Sequence, residues 1–418
     1  MIPNISDIFT DHLYSISAGE LPAEVAEQAE LCILDYRGCA LAGAEVIAAK
    51  GEKFLDAVSS QGGDCPVAGF SRTTTVQNAA LLGAMCAHST ELDDGHRFGM
   101  IHLGASIMSA LLPVAEMEDF PHDNVLKGTV AGYDAAIRLA MAMQPSHKLR
   151  GYHASGTCGT IGSAVAVAVA MGLTRDQLKS AIAAGAASAA GLLEMQEDSS
   201  EMKPYNLAQA AVCGINAAYA AKAGFVGPDD PIGGRRGMLA AMCTDPDISA
   251  LTGFEACQYE IMRIYRKIYA ACRHCHPAIE GVLEIMESAG LCPDDISSVT
   301  IRTYKLAVSG HDHRDIKGIH SAKLSMPFSV ALAMVKGHAG LADFTESSIQ
   351  DPAIKSLMEK IDIRMDNEIS SWCPAKRAAV VEILTADGRT FTEEVDFPKG
   401  EPENPVSKEE IEAKFRAD

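Results

Sequence analysis

Between Ala87 and Leu112 the sequence AHSTELDDGHRFGMIHLGASIMSALL sets Glu91, Asp93, Asp94, His96, Arg97 and His102 between two Ala/Leu-rich segments. Acids and imidazoles are costly beside apolar helices unless they are paired or used in chemistry. A carboxylate next to an imidazole orients and tunes a general base. A plain hydrophilic loop between two helices would look similar. Repetition favours the chemical reading, because cations and imidazoles recur in comparable settings at His153, Lys203, Lys267, Arg273, His276 and Lys323. Spread over loops and helix ends, such a set can converge to hold several carboxylates and supply a base. No Ser-His-Asp elbow, Walker loop or dinucleotide fingerprint accompanies it. Proton abstraction beside a carboxylate, with neither cofactor nor metal, is the chemistry these residue types support best.

Three other runs compete for attention. Gly156, Gly159 and Gly162 imitate a phosphate loop, but no strand precedes them and no Gly-Lys-Ser/Thr follows. They read as a tight helix entrance that aims His153 and offers amide N–H groups to an anion. Cys272-Arg-His-Cys-His276 matches the C-x-x-C-H haem signature, or a zinc set of Cys272, Cys275 and His276. No aromatic-rich pocket sequence supports haem, and no second Cys pair at finger spacing supports zinc. Gly310-His-Asp-His-Arg-Asp315 reads as a solvated loop. Lys203 opens a helix, where the macrodipole disfavours a cation, so an anion is expected beside it.

The elements that must position these residues are mostly helices. Periodicity predicts helices within 5–60, over 78–88 with a Thr73–Thr75 cap, and over 105–118 with a kink at Pro113. Further helices are predicted over 124–143, after Gly162, over 176–193 and over 204–223. From about Phe254 the pattern changes. Val299–Tyr304, Ile361–Met365 and Ala379–Thr385 alternate like strands. Helices over 277–289, 326–336 and 351–361 lie between them, and 408–416 forms a short terminal helix. The fold class is mainly α: a long all-helical region, then a smaller α+β region.

The chain has 418 residues, enough for two or three domains, and a net charge of −20 spread along its length. That argues against nucleic acid or an anionic membrane as partner. No segment reaches the ~18 apolar residues of a membrane span. The N-terminus lacks a basic and an apolar region of the secretory kind. Twelve cysteines scattered among Ala, Gly and Leu read as reduced core thiols, which points to the cytoplasm.

Six short markers in order resemble the MmgE/PrpD family over almost the whole chain. They are His88…Glu91-Leu-Asp93-Asp94…His102, His153-x-Ser-Gly-Thr-x-Gly-Thr-x-Gly162 and Lys203-Pro204. Then come Lys267-x-Tyr-x-x-Cys272-x-x-x-His276, Ala322-Lys323-x-Ser-x-Pro327 and Pro374-x-x-Arg377-x-Ala379. The resemblance implies a helical domain (1–264, with 396–418 returning), an α+β lid (265–395), a homodimer and a site between the domains. It implies cofactor-independent lyase chemistry on a small di- or tricarboxylate, 2-methylcitrate dehydration first, with cis-aconitate decarboxylation or iminodisuccinate epimerisation as alternatives. A non-catalytic carboxylate-binding protein is the reading from another class. Carried over by position, Asp93 or Asp94, His102, His153, Lys203 and Lys267 fall where the family has its site residues. The mechanism expected of these residue types makes His102 the base, oriented by Asp93 or Asp94, and His153 the opposing acid. Lys203, Lys267 and Arg273 bind carboxylates; His276 and Lys323 support them. Cys272–His276 becomes a pocket segment of the lid. The 95–103 loop is one residue longer than the family's usual pattern, and Leu103 replaces the Pro that often follows the histidine. His96 and Arg97 are therefore expected to read a different arrangement of carboxylates.

Overall fold

The computed structural model describes residues 4–197, 200–254 and 259–415. The chain divides into two compact units, one of residues 1–196, 202–264 and 411–418, the other of 197–201 and 265–410. Among the described residues no helix is long and apolar enough to cross a membrane.

The first unit is built round the helix Ala154–Ala170, every residue of which is buried. Helices Gly104–Met117, His122–Met143, Arg175–Ser188 and Lys203–Lys222 pack against it. Small residues make this close packing possible. A Cβ on Gly162 would lie 2.8 Å from both the Gly132 carbonyl oxygen and the Ala136 Cβ, and one on Gly156 would lie 2.4 Å from the Ala190 carbonyl oxygen. The glycines therefore serve close backbone packing rather than phosphate. Gly162→Ala is expected to cost about 2 kcal/mol by overpacking, although alanine is the better helix former by about 1 kcal/mol. A urea melt measures the loss.

Two parts of this unit differ from the sequence reading. Cys65–Val67 (β1) and Phe70–Thr74 (β2) form an antiparallel hairpin turning at Gly69, whose φ of 78° suits glycine, so the unit is not wholly helical. The helix expected over 176–193 stops at Ser188. Beyond it, His153 N–H donates to Gly191 O at 3.1 Å and Leu193 N–H to Gly151 O at 2.9 Å, an extended pairing that a helix would forbid.

In the second unit, Ile296–Thr303 (β3), Ile361–Met365 (β4), Ala379–Thr385 (β5) and Thr390–Val395 (β6) form a sheet of order β4-β3-β5-β6. The β3–β4 pair is parallel and the others antiparallel. Val299, Ile301, Val381 and Ile383 are buried. Helix His276–Ala289 packs against β5 and β6, and helix Met326–Lys336 against that helix and β4. β6, a strand not predicted from the sequence, follows the Ala386–Arg389 turn and completes a hairpin with β5.

Residues 396–410, expected to return with 411–418, belong instead to the second unit. Arg273 holds them there: Nε and Nη2 donate to Glu401 Oε1 at 3.1 and 3.0 Å, Nη2 also to Pro398 O, and Nη1 to Lys399 O. Only the end rejoins the first unit, where Lys414 Nζ meets Asp35 Oδ1 at 2.5 Å and Leu92 O at 3.1 Å. The terminal helix ends at Ala413; Arg416, where it was expected to end, lies outside the described residues.

Candidate active site

Helix Val76–Ser89, capped by the Thr75 hydroxyl on Asn78 N–H, delivers His88 in its last turn. The hydroxyls of Ser89 and Thr90 then satisfy the carbonyls of Cys86 and Ala87, and the chain leaves the helix. Glu91 (φ 56°) and Met100 (φ 49°) occupy left-handed backbone that non-glycine residues rarely adopt. Strain of this kind persists only where the surroundings enforce it, and it concentrates at functional loops.

The two adjacent aspartates separate cleanly. Asp93 Oδ2 lies 2.7 Å from His88 Nδ1 and 3.5 Å from His102 Nδ1. Asp94 turns the other way. Its carboxylate accepts from Tyr133 Oη–H at 2.6 Å and from Gly104 N–H at 2.8 Å, and only its backbone carbonyl meets His102 Nδ1, at 3.0 Å. The carboxylate beside His102 is therefore that of Asp93, and the Asp94 side chain anchors the helix Gly104–Met117.

Burial raises the Asp94 pKa to about 6, Asp35 adds to the rise, and the Tyr133 hydrogen bond opposes it. The folded chain thus keeps this proton where the unfolded chain, at its ordinary 3.8, has lost it. The contribution of this group to stability is present below pH 4 and falls as pH rises toward 6. Asp94→Asn should therefore raise the melting temperature more above pH 6 than at pH 4; thermal melts at both values decide it.

A carbonyl can only accept, so His102 Nδ1 carries the proton and Nε2 holds the lone pair of the neutral ring. His153 has the opposite arrangement. Asn206 Oδ1 accepts from Leu192 N–H at 3.3 Å while Nδ2 donates to Leu192 O at 3.0 Å, which fixes the amide's orientation. Nδ2 then donates to His153 Nδ1 at 3.1 Å, so His153 carries its proton on Nε2. Burial, and after it the Lys203 ammonium, hold the His153 pKa well below the usual imidazole range, so the ring is neutral. The two segments are joined by His102 N–H donating to Ser155 Oγ at 3.0 Å. His102 retains 16% side-chain exposure, whereas the His88 side chain has none, so His102 is the imidazole of the pair that a substrate can reach.

The anion expected beside Lys203 is internal. Its ammonium pairs with Glu91, both side chains nearly buried, and Asn206 follows one turn later on the same helix. His96 and Arg97, expected to read substrate carboxylates, hold their own loop. His96 Nδ1 accepts from Gly99 N–H at 3.2 Å, its backbone bridges Ile101, and the Arg97 guanidinium lies over the Phe98 ring.

In the second unit Arg273 and His276 are also committed internally. With Arg273 Nη1 donating to His276 Nδ1 at 2.9 Å, all five guanidinium N–H groups are used. His276 Nε2 faces Ala271 O at 3.3 Å. Neither side chain has a donor left for a substrate. Lys267 and Lys323 are buried in the same unit.

Three residues of this site were not given roles from sequence: His88, Glu91 and Asn206. His88 and Glu91 stand within the first marker. Asn206 offered a weaker sign, an asparagine inside a helix, where its propensity is poor.

The MmgE/PrpD N-terminal domain profile matches residues 7–251, and the C-terminal domain profile matches 269–417. The cis-aconitate decarboxylase-like protein oryM of Aspergillus oryzae is 25% identical over 99% of this chain and 90% of its own. The cis-aconitate decarboxylase of Aspergillus terreus is 24% identical over 96% of this chain and 86% of its own. The mitochondrial 2-methylcitrate dehydratase of Yarrowia lipolytica is 29% identical, over 30% of this chain and 26% of its own. With two domain profiles matched in order across both units, the chain belongs to the MmgE/PrpD family.

Proposed function

We infer that the chain is a cofactor-independent lyase that moves a proton at a carbon next to a carboxylate of a small di- or tricarboxylic acid. The observation that carries this reading is the pair of histidines in opposite tautomers, with a lone pair on His102 Nε2 and a proton on His153 Nε2. His102 takes the carbon-bound proton, and Asp93 at 3.5 Å stabilises the imidazolium that forms. His153 gives its Nε2 proton to the departing hydroxide, which leaves as water, and the ring regains that proton from solvent. Lys203 has three N–H groups, one on Glu91, and meets a substrate carboxylate with the others, where it offsets the enolate-like charge.

A base and an acid together suit elimination, so dehydration is the first reading. Decarboxylation is the second, supported by decarboxylase relatives that match 96–99% of the chain where the dehydratase matches 30%. In that case His153 protonates the carbon that loses carbon dioxide.

Proton NMR in deuterium oxide, with 2-methylcitrate, citrate, cis-aconitate and iminodisuccinate offered in turn, tests the reading. A hydroxy acid converted to an alkene supports dehydration, and carbon dioxide release from cis-aconitate moves the assignment to decarboxylation. No exchange and no turnover with any of the four overturns both.

The tautomer argument makes its own prediction. In Asn206→Asp an acceptor faces His153 Nδ1, so the proton moves to Nδ1 and the His153 pKa rises. Turnover should fall by about a hundredfold, with a new acidic limb in the pH–rate profile. Equal loss at every pH would mean a structural effect only.

A further inference from the structure

The Cys272-Arg-His-Cys-His276 run does not assemble as a ligand set, since both ring nitrogens of His276 are engaged. A different trio does. The ligand atoms of Cys272, His274 and His311 all lie within 4.8 Å of one another. Cys272 Sγ stands 3.7 Å from His311 Nε2, near the ~3.5 Å that separates thiolate and imidazole ligands around a tetrahedral zinc. The two imidazole centroids are 5.1 Å apart.

Both rings are oriented from behind. His311 Nδ1 donates to Leu324 O at 2.9 Å, which puts the proton there and the Nε2 lone pair toward the thiol. His274 Nδ1 lies 2.5 Å from the hydroxyl of Tyr304, a fully buried residue directly after β3. An oxygen on the outer nitrogen of each imidazole is how metal-bound histidines are commonly aimed. The backbone frame is tight as well: Cys272 N–H donates to Lys323 O and Met326 N–H to His311 O, each at 2.8 Å.

We propose that Cys272, His274 and His311 bind a divalent transition ion of the zinc class, with one thiolate, two imidazoles and a fourth position for a small oxygen ligand. A sulfur and nitrogen set without carboxylate suits such an ion and not magnesium or calcium, which take oxygen. Binding forms one metal–sulfur and two metal–nitrogen bonds, releases the thiol proton to solvent and changes no oxidation state. The site departs from the metal-free expectation of the sequence.

Cobalt(II), a spectroscopic stand-in for zinc, is titrated into the full, metal-free chain and followed by absorption. One equivalent should bind with a sulfur-to-cobalt charge-transfer band in the near ultraviolet. Cys272→Ser should abolish the band, and His311→Asn should weaken binding at least tenfold. His102→Gln, which breaks the other ligand-like cluster of His88, Asp93 and His102, should leave the band unchanged. Thermal melts check the fold of each variant, and if Cys272→Ser fails to fold, His311→Asn decides. No band in the parent, a band that survives Cys272→Ser, or one lost in His102→Gln overturns the proposal.

Discussion

His102→Gln is expected to lower kcat/KM by about a hundredfold to ten-thousandfold, the range usual for loss of a positioned general base. Glutamine fills similar space and can still donate to Asp94 O, so the melting temperature should stay near that of the parent. The two neighbouring aspartates should then part company. Asp93→Asn removes the carboxylate 2.7 Å from His88 and 3.5 Å from His102, and should cost activity by about a hundredfold. Asp94→Asn keeps an acceptor for Gly104 N–H and leaves the backbone carbonyl on His102 intact, so turnover should stay within a few-fold of the parent. Steady-state kinetics on the three variants measure this, and equal losses at Asp93 and Asp94 would contradict the assignment.

Lys203→Met carries the second large effect, and it falls on stability as well as activity. The substitution takes the ammonium away from the Glu91 carboxylate, whose side chain is only 6% exposed. Breaking a buried pair from one side costs about 3 kcal/mol or more, because the remaining charge loses its partner. Adding Glu91→Gln should recover most of that stability, since removing both charges is often nearly neutral. Activity should not return, because the carboxylate-binding ammonium is still missing. Urea melts beside kcat/KM values separate the two effects. Recovery of both in the double variant would make the pair purely structural.

Features governed by local pattern were legible in the sequence. The Thr75 cap, the three strands and an anion beside Lys203 all follow from periodicity and end effects. The helix expected only after Gly162, by contrast, already begins at Ala154 and takes the three glycines into its first turns. The choice between Asp93 and Asp94 was not legible, because in an irregular loop no period says which way each side chain points. Nor could the sequence show that Arg273 spends its donors on residues 398–401, some 125 positions later. Asn206 was missed for a related reason: its role depends on Leu192, which sits in an extended segment where a helix was expected to continue. The β1 and β2 strands, three and five residues long, gave too little alternation to mark a hairpin.

The division of labour between the two histidines is tested most directly by deuterium incorporation. Whichever of the four acids the parent converts is incubated in deuterium oxide with the parent, His102→Gln and His153→Asn, and carbon-bound deuterium and net product are read together by NMR. In His153→Asn, exchange at carbon should persist while product formation falls by about a hundredfold or more. In His102→Gln both should be lost. Exchange that survives without His102, or that disappears equally in both variants, would contradict a base at His102 and an acid at His153.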